Sequence, residues 1–133
     1  MMLSAALTCL ALNVYHEARN EDIMGQYAVA HVVLNRVKSH KYPDDICSVI
    51  HQGYREGHIN CQFSWYCDGK SDTPYDELAW AHSVVAADRV MKEHIYDFTE
   101  GATNYHANYV HPYWAHKLEY VGQFGTQLFY KEH

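Results

Sequence analysis

Apolar residues recur at helical spacing along the first eighteen positions: Leu3, Ala6, Leu7, Leu10, Ala11, Val14 and Ala18 fall on one stripe. That pattern predicts a helix over 3–18. A second helix is predicted from Asp22 to Val37, capped by Asn20 or Asp22, with Ile23, Tyr27, Ala30, Leu34 and Val37 as its stripe. The link Asn20-Glu21-Asp22 is short, so the two helices must form a corner. Asp44 or Asp45 starts a short helix through Ile50. From Gln52 to Asp72 periodicity is lost and Gly, Asn, Ser and Asp accumulate, which predicts a long irregular loop of the kind that usually carries function.

Thr73-Pro74-Tyr75-Asp76 reads as a helix start, with a threonine cap, proline in the first helical position and an acid in the first turn. This helix is predicted to run to Glu93 and to bury Leu78, Ala81 and Val85 alongside Trp80, Val84, Ala87 and Met91. Beyond Thr99-Glu100-Gly101 the pattern changes to short strands, at Thr103 to Asn108, Leu118 to Val121 and Leu128 to Tyr130, separated by Pro112, Gly122 and Gly125. No repeat or linker interrupts the chain. One domain over 1–133 is expected, of the α+β class, mainly helical with a small C-terminal antiparallel sheet.

Composition narrows the partners. The formal charge is −6 and no basic run occurs, so nucleic acid is not expected. Aromatics make up 14 % of the chain, enough to wall a carbohydrate cleft while still giving the core the larger share. The apolar N-terminus lacks a basic flank and a cleavage motif, and it carries the first helix, so it is read as part of the fold. No stretch is long enough to span a membrane. Cys9, inside the first helix, is expected to be a buried thiol, and a disulfide is expected among Cys47, Cys61 and Cys67, with the pair left open. Cysteine spacing fits no C-x₂-C zinc pattern and no histidine pair has H-E-x-x-H spacing, so no metal and no cofactor are expected.

One charged residue interrupts the pattern. Glu17 is three residues after Val14 and seven after Leu10, inside the apolar stripe and in the last helical turn. Burial and the negative end of the helix dipole both favour its protonated form, which a general acid requires. An ion pair with Arg19 is the structural alternative. His16 is expected to project elsewhere on the helix, and Tyr105 and His106 to face opposite sides of a strand. His82, His94 and His133 are expected at the surface.

The segment Cys9 to Arg19 with its Tyr15-His16-Glu17-Ala18-Arg19 motif, then Gly25-Gln26 and Val33-Leu34-Asn35-Arg36-Val37, resembles the opening of the SleB/CwlJ-type cell-wall hydrolases. The likeness continues through Cys61-Gln62-Phe63-Ser64-Trp65, Cys67-Asp68-Gly69, Gly101 to Ala107, Trp114-Ala115 and Phe129-Tyr130. It implies a lysozyme-like, lytic-transglycosylase-like fold that cleaves peptidoglycan glycan strands, with Glu17 as the catalytic acid. Asn20 stands where that family has glycine, and asparagine is expected to accept the left-handed turn.

With the resemblance in hand, Gln62, Phe63, Ser64, Trp65, Tyr105, His106, Trp114 and Tyr130 are expected to bind substrate, the aromatics as apolar walls. A transglycosylase needs one carboxylate, whereas a hydrolase would take a second from Glu21, Asp68 or Glu100. The rival class is a metal-dependent amidase or peptidase using His16, His106 and His111. A monomeric, stand-alone catalytic domain acting on the cell wall is expected, such as a phage lysin made in the host cytoplasm and released by other means.

Overall fold

A computed structural model describes residues 3–55, 58–59 and 61–132. Helix α1 spans Ala5–Ala18, capped by the Ser4 hydroxyl, which accepts from the Leu7 N–H at 3.1 Å. Leu10, Ala11, Val14 and Ala18 are buried as the stripe predicts, but Asn13 and Tyr15 are fully buried too. Their polar atoms explain how: Asn13 accepts from the Trp65 indole at 2.8 Å, and the Tyr15 hydroxyl accepts from the backbone N–H groups of Tyr75 and Asp76.

Helix α2, Ile23–Lys38, is capped by Asp22. It is no one-sided helix. Every residue from Gly25 to Val33 is buried, because α2 lies between two layers. Tyr27, Ala30 and Val33 face the core shared with α1, whereas Ala28, Val29 and Val32 face a second cluster with Ala102 and Phe129. Ile23, expected in the buried stripe, is exposed at the helix start. Asn20 adopts no left-handed conformation; the corner closes with the Glu21 N–H on the Ala18 carbonyl at 2.9 Å.

Helix α3, Ile46–Ile50, is capped by Asp45. The stretch expected to be irregular contains an antiparallel hairpin of β1, Tyr54–Arg55, and β2, His58–Ile59, followed by a 3₁₀ turn over Ser64–Cys67. Residues 56, 57 and 60 of that stretch, and His133, lie outside the described residues. Helix α4, Glu77–Met91, starts later than Thr73 suggested. Tyr15 engages the N–H groups of Tyr75 and Asp76, and the Asp76 carboxylate takes the Ala79 N–H at 3.0 Å, so Asp76 is the cap. Of its expected buried residues, Ala87 is buried and Trp80, Val84 and Met91 pack against the core, but Leu78, Ala81 and Val85 are exposed. Ser83, Ala86 and Val90 point inward instead, since small residues let α4 pack closely on α1 and α2.

Three strands form an antiparallel sheet in the order β3, β5, β4, from Asn104–Ala107, Gln127–Lys131 and Glu119–Phe124. Tyr105 pairs with Phe129 and Ala107 with Gln127. The turn from β4 to β5 is fixed by Glu21, whose carboxylate accepts from the backbone N–H and the hydroxyl of Thr126. At Gly125 the backbone φ is +64° and a Cβ would stand 2.9 Å from the Glu21 carboxylate, so only glycine fits this close approach.

Two disulfides join Cys9 to Cys47 and Cys61 to Cys67. Cys9 is therefore no free thiol: it fastens α1 to α3. The pairing of Cys61 with Cys67 falls within the expected trio, while Cys47 reaches outside it. Sequence spacing alone cannot report which cysteine a helix brings near. Replacing Cys9 and Cys47 together by alanine is expected to lower the unfolding free energy by about 2–4 kcal/mol, measured by chemical denaturation; an unchanged midpoint would show that the cross-link adds nothing to the packed helices.

Candidate active site

Glu17 lies in the last turn of α1, half-buried at a cleft of about 380 Å³ lined by His16, Arg19, Asn20 and Glu21 from the helical corner and by Ala107, Tyr109, Thr126 and Gln127 from the sheet. The cleft is thus the seam between the two layers. From β3, the Tyr105 hydroxyl donates to Glu17 Oε1 at 3.0 Å. Burial raises the Glu17 pKa above the ordinary carboxylate value, opposed by the Tyr105 hydrogen bond and by the positive charge of Arg36. Tyr105 itself is pushed well above the usual tyrosine range, first by burial and then by the Glu17 charge, so it remains a donor.

Arg36 is a buried cation with a built cradle. Its Nε donates to the Thr103 carbonyl at 2.8 Å, and its guanidinium lies 4.9 Å from the ring centre of Tyr42 and 5.1 Å from that of Phe63. The sequence pattern gave Arg36 no chemical role. A helical arginine reads as surface until the sheet is packed over it.

A model of the cell wall hydrolase family matches residues 20–130. The chain belongs to the cell wall hydrolase family. The matched span begins just after the Tyr15-to-Arg19 motif, and the likeness of solved structures extends over that motif as well. The catalytic domain of the germination-specific lytic transglycosylase SleB from Bacillus anthracis superposes with a TM-score of 0.73 at 26 % identity, covering 98 % of this chain and 97 % of that one. The catalytic domain of the Bacillus cereus SleB protein gives 0.69 at 27 % identity, covering 98 % and 93 %. A spore cortex-lytic enzyme of Halalkalibacterium halodurans is 51 % identical over 41 residues, which are 31 % of this chain and 12 % of that protein. The chain therefore has the α+β, lysozyme-like fold of SleB catalytic domains, and it is an enzyme that acts on cell-wall peptidoglycan. Among the described residues no helix is long and apolar enough to cross a membrane.

In this cell wall hydrolase the substrate-binding residues expected from sequence divide into four groups. Tyr105 meets Glu17. His106, Trp114 and Tyr130 do not: the His106 ring stacks on Tyr130, its Nε2 is 2.8 Å from the Tyr130 hydroxyl, and Trp114 packs edge-on against both, forming a cluster on the opposite face of the sheet. Phe63 and Trp65 belong to the core, driven there by Cys61–Cys67 and the turn between them, so neither walls the cleft by its own surface. Gln62 and Ser64 are exposed on that turn.

His16 corrects another expectation. It lines the cleft beside Glu17, its ring stacked on Trp65 at 4.5 Å and its Nε2 2.9 Å from the Asp72 carbonyl. His82 and His94 are exposed as expected. Of the alternative carboxylates, Glu21 is on the cleft wall but held by Thr126, whereas Asp68 caps its own turn through the Lys70 N–H and Glu100 lines a separate depression with Lys131. Among the described residues no three histidine, cysteine or acidic side chains converge as metal ligands.

Gln127 is a site residue the sequence did not announce. It sits in the cleft wall, more than nine-tenths buried, and its Oε1 has no protein partner. Tyr105→Phe is expected to raise the Glu17 pKa further, because the hydroxyl favours the charged carboxylate; carboxyl-carbon NMR titration measures it, and a pKa that stays or falls would show that the hydroxyl bond has no hold on Glu17.

Proposed function

We propose that this cell wall hydrolase cleaves the β-1,4 bond between N-acetylmuramic acid and N-acetylglucosamine as a lytic transglycosylase, with Glu17 as its single acid and base. The observation that carries the reading is Glu17 itself: burial holds its proton, and the other carboxylate on the cleft wall, Glu21, is taken up by Thr126. The described lytic transglycosylase activity of the Bacillus anthracis relative supports the choice of reaction.

Protonated Glu17 donates its proton to the glycosidic oxygen as the bond to C1 of muramic acid breaks, and the N-acetylglucosamine leaves with a hydroxyl. Positive charge develops at C1 and the ring oxygen beside the new carboxylate. Glu17 then takes the proton of the muramic 6-hydroxyl while that oxygen closes on C1, giving the 1,6-anhydro ring and restoring protonated Glu17. No water is consumed. Tyr105 is the positioning residue, since its hydroxyl fixes Oε1 and stabilises the carboxylate between the two steps; Arg36 contributes charge from behind. Gln62 and Ser64 stay proposed sugar contacts, joined by Gln127, whose amide suits the N-acetyl group. His106, Trp114 and Tyr130 act through the sheet they brace.

Glu17→Gln is expected to reduce muralytic activity at least about a hundredfold, the usual contribution of a general acid. The native state holds the Glu17 proton to higher pH than the unfolded chain. Its contribution to stability is complete below the unfolded carboxylate pKa and is lost as pH rises through the native value, so the glutamine variant should be at least as stable as wild type at neutral pH. Wild-type kcat should fall as pH rises through that same value. Mass spectrometry of digested peptidoglycan should find 1,6-anhydromuramyl ends, and reducing ends instead would assign hydrolysis. Loss of activity in a chelator would favour the metal-dependent class.

A further inference from the structure

We infer that Arg19 reads the anionic arm of muramic acid units that carry no stem peptide, pairing with the free carboxylate of their 3-O-lactyl group. The inference rests on the function proposed above, since it needs a muramic acid in the cleft beside Glu17.

Arg19 lines the same cleft as Glu17. Its guanidinium is held by two hydrogen bonds: Nη1 donates to the Tyr15 carbonyl at 3.1 Å and Nη2 to the Tyr75 hydroxyl at 3.2 Å. The guanidinium carbon is 4.7 Å from the centre of the Tyr15 ring and 5.5 Å from that of Tyr75. A long side chain ordinarily loses rotamer freedom when it binds an anion, and here that ordering is done in advance. Two of the five guanidinium donors are used, which leaves donors for a planar, two-oxygen partner.

The partner is missing from the protein. Acids outnumber Lys and Arg by 16 to 10 in the chain, yet among the described residues no carboxylate forms an ion pair with Arg19. The two carboxyl groups on the cleft wall are committed elsewhere, Glu17 to Tyr105 and Glu21 to Thr126. Among the described residues of that wall Arg19 alone carries a permanent positive charge, in a chain whose net charge of −6 repels an anionic polymer. A lactyl carboxylate next to the scissile bond is therefore drawn to Arg19. Tying Tyr15 to Tyr75 is a structural use of Arg19 that brings no anion to it, and substrate charge separates the two uses.

The test compares matched substrates with the intact chain. One pair is peptide-free glycan strands with the lactyl carboxylates free or converted to methyl esters. A second pair is peptide-bearing strands with the stem carboxylates free or amidated. Wild-type kcat/KM is expected to be about tenfold higher on the free lactyl form than on its ester, carried mainly by KM and shrinking with added salt. R19Q should bring that ratio to about one, and R19K, which keeps the charge without the fork, should fall between. A wild-type ratio near one, or an R19Q variant that slows both forms equally and keeps the ratio, would overturn the inference. A preference confined to the peptide carboxylates would overturn the lactyl assignment. Should R19Q fail to fold, the wild-type ratio and that of R19K decide. Wild type cleaving neither form would instead sink the function proposed above.

Discussion

A single hydroxyl-to-carboxylate bond, Tyr105 on Glu17, joins the helical layer to the sheet at the point where chemistry is expected. It forms only if the end of α1 and the middle of β3 bring that hydroxyl within 3.0 Å of the carboxylate, and α2 makes that possible by filling the space between the layers. Polar links then set the register. Arg36 and Asn35 on α2 donate to the carbonyls of Thr103 and Ala102 at the entrance to β3, and Glu21 holds Thr126 at the entrance to β5. Each link crosses from the first 36 residues to the last 32, so the cleft is a product of long-range closure and not of any one segment.

The electrostatics follow from this geometry. A carboxyl at a layer boundary is poorly hydrated, so its proton is retained; a donor and a buried cation opposite it keep the charged form within reach. Burial alone would favour the protonated carboxyl, and Tyr105 and Arg36 alone would favour the carboxylate. Their opposition gives a group able to give a proton and take one back. Arg36 can occupy such a place because its flat faces lie on Tyr42 and Phe63 and its Nε meets a carbonyl, which lowers the cost of removing a guanidinium from water.

The loop around Cys61 and Cys67 supports the same site indirectly. Its disulfide and 3₁₀ turn press Phe63 and Trp65 inward, Phe63 onto Arg36 and Trp65 onto His16 and Asn13. Aromatic residues that look like sugar platforms in the sequence thus become the floor under the residues that line the cleft. The cluster of His106, Trp114 and Tyr130 does a comparable service on the far face of the sheet, where it stiffens β3 and β5.

What the sequence determined by itself was local: four helices, with aspartate among the expected caps of the second and third, three short strands, and a carboxylate out of place at position 17, because periodicity and capping depend on neighbours within a turn or two. Even there, the α4 stripe and cap were misread, since two overlapping apolar stripes fit the same helix and Tyr15, sixty residues away, selected the start. Only the tertiary structure decided which cysteines pair, which face of the sheet His106 takes, that His16 shares the cleft with Glu17, and that the middle of α2, from Gly25 to Val33, is buried all round. Those outcomes depend on side chains brought together from distant segments, whose meeting is fixed by packing and polar satisfaction across the layers and leaves no trace in the spacing of residues along the chain.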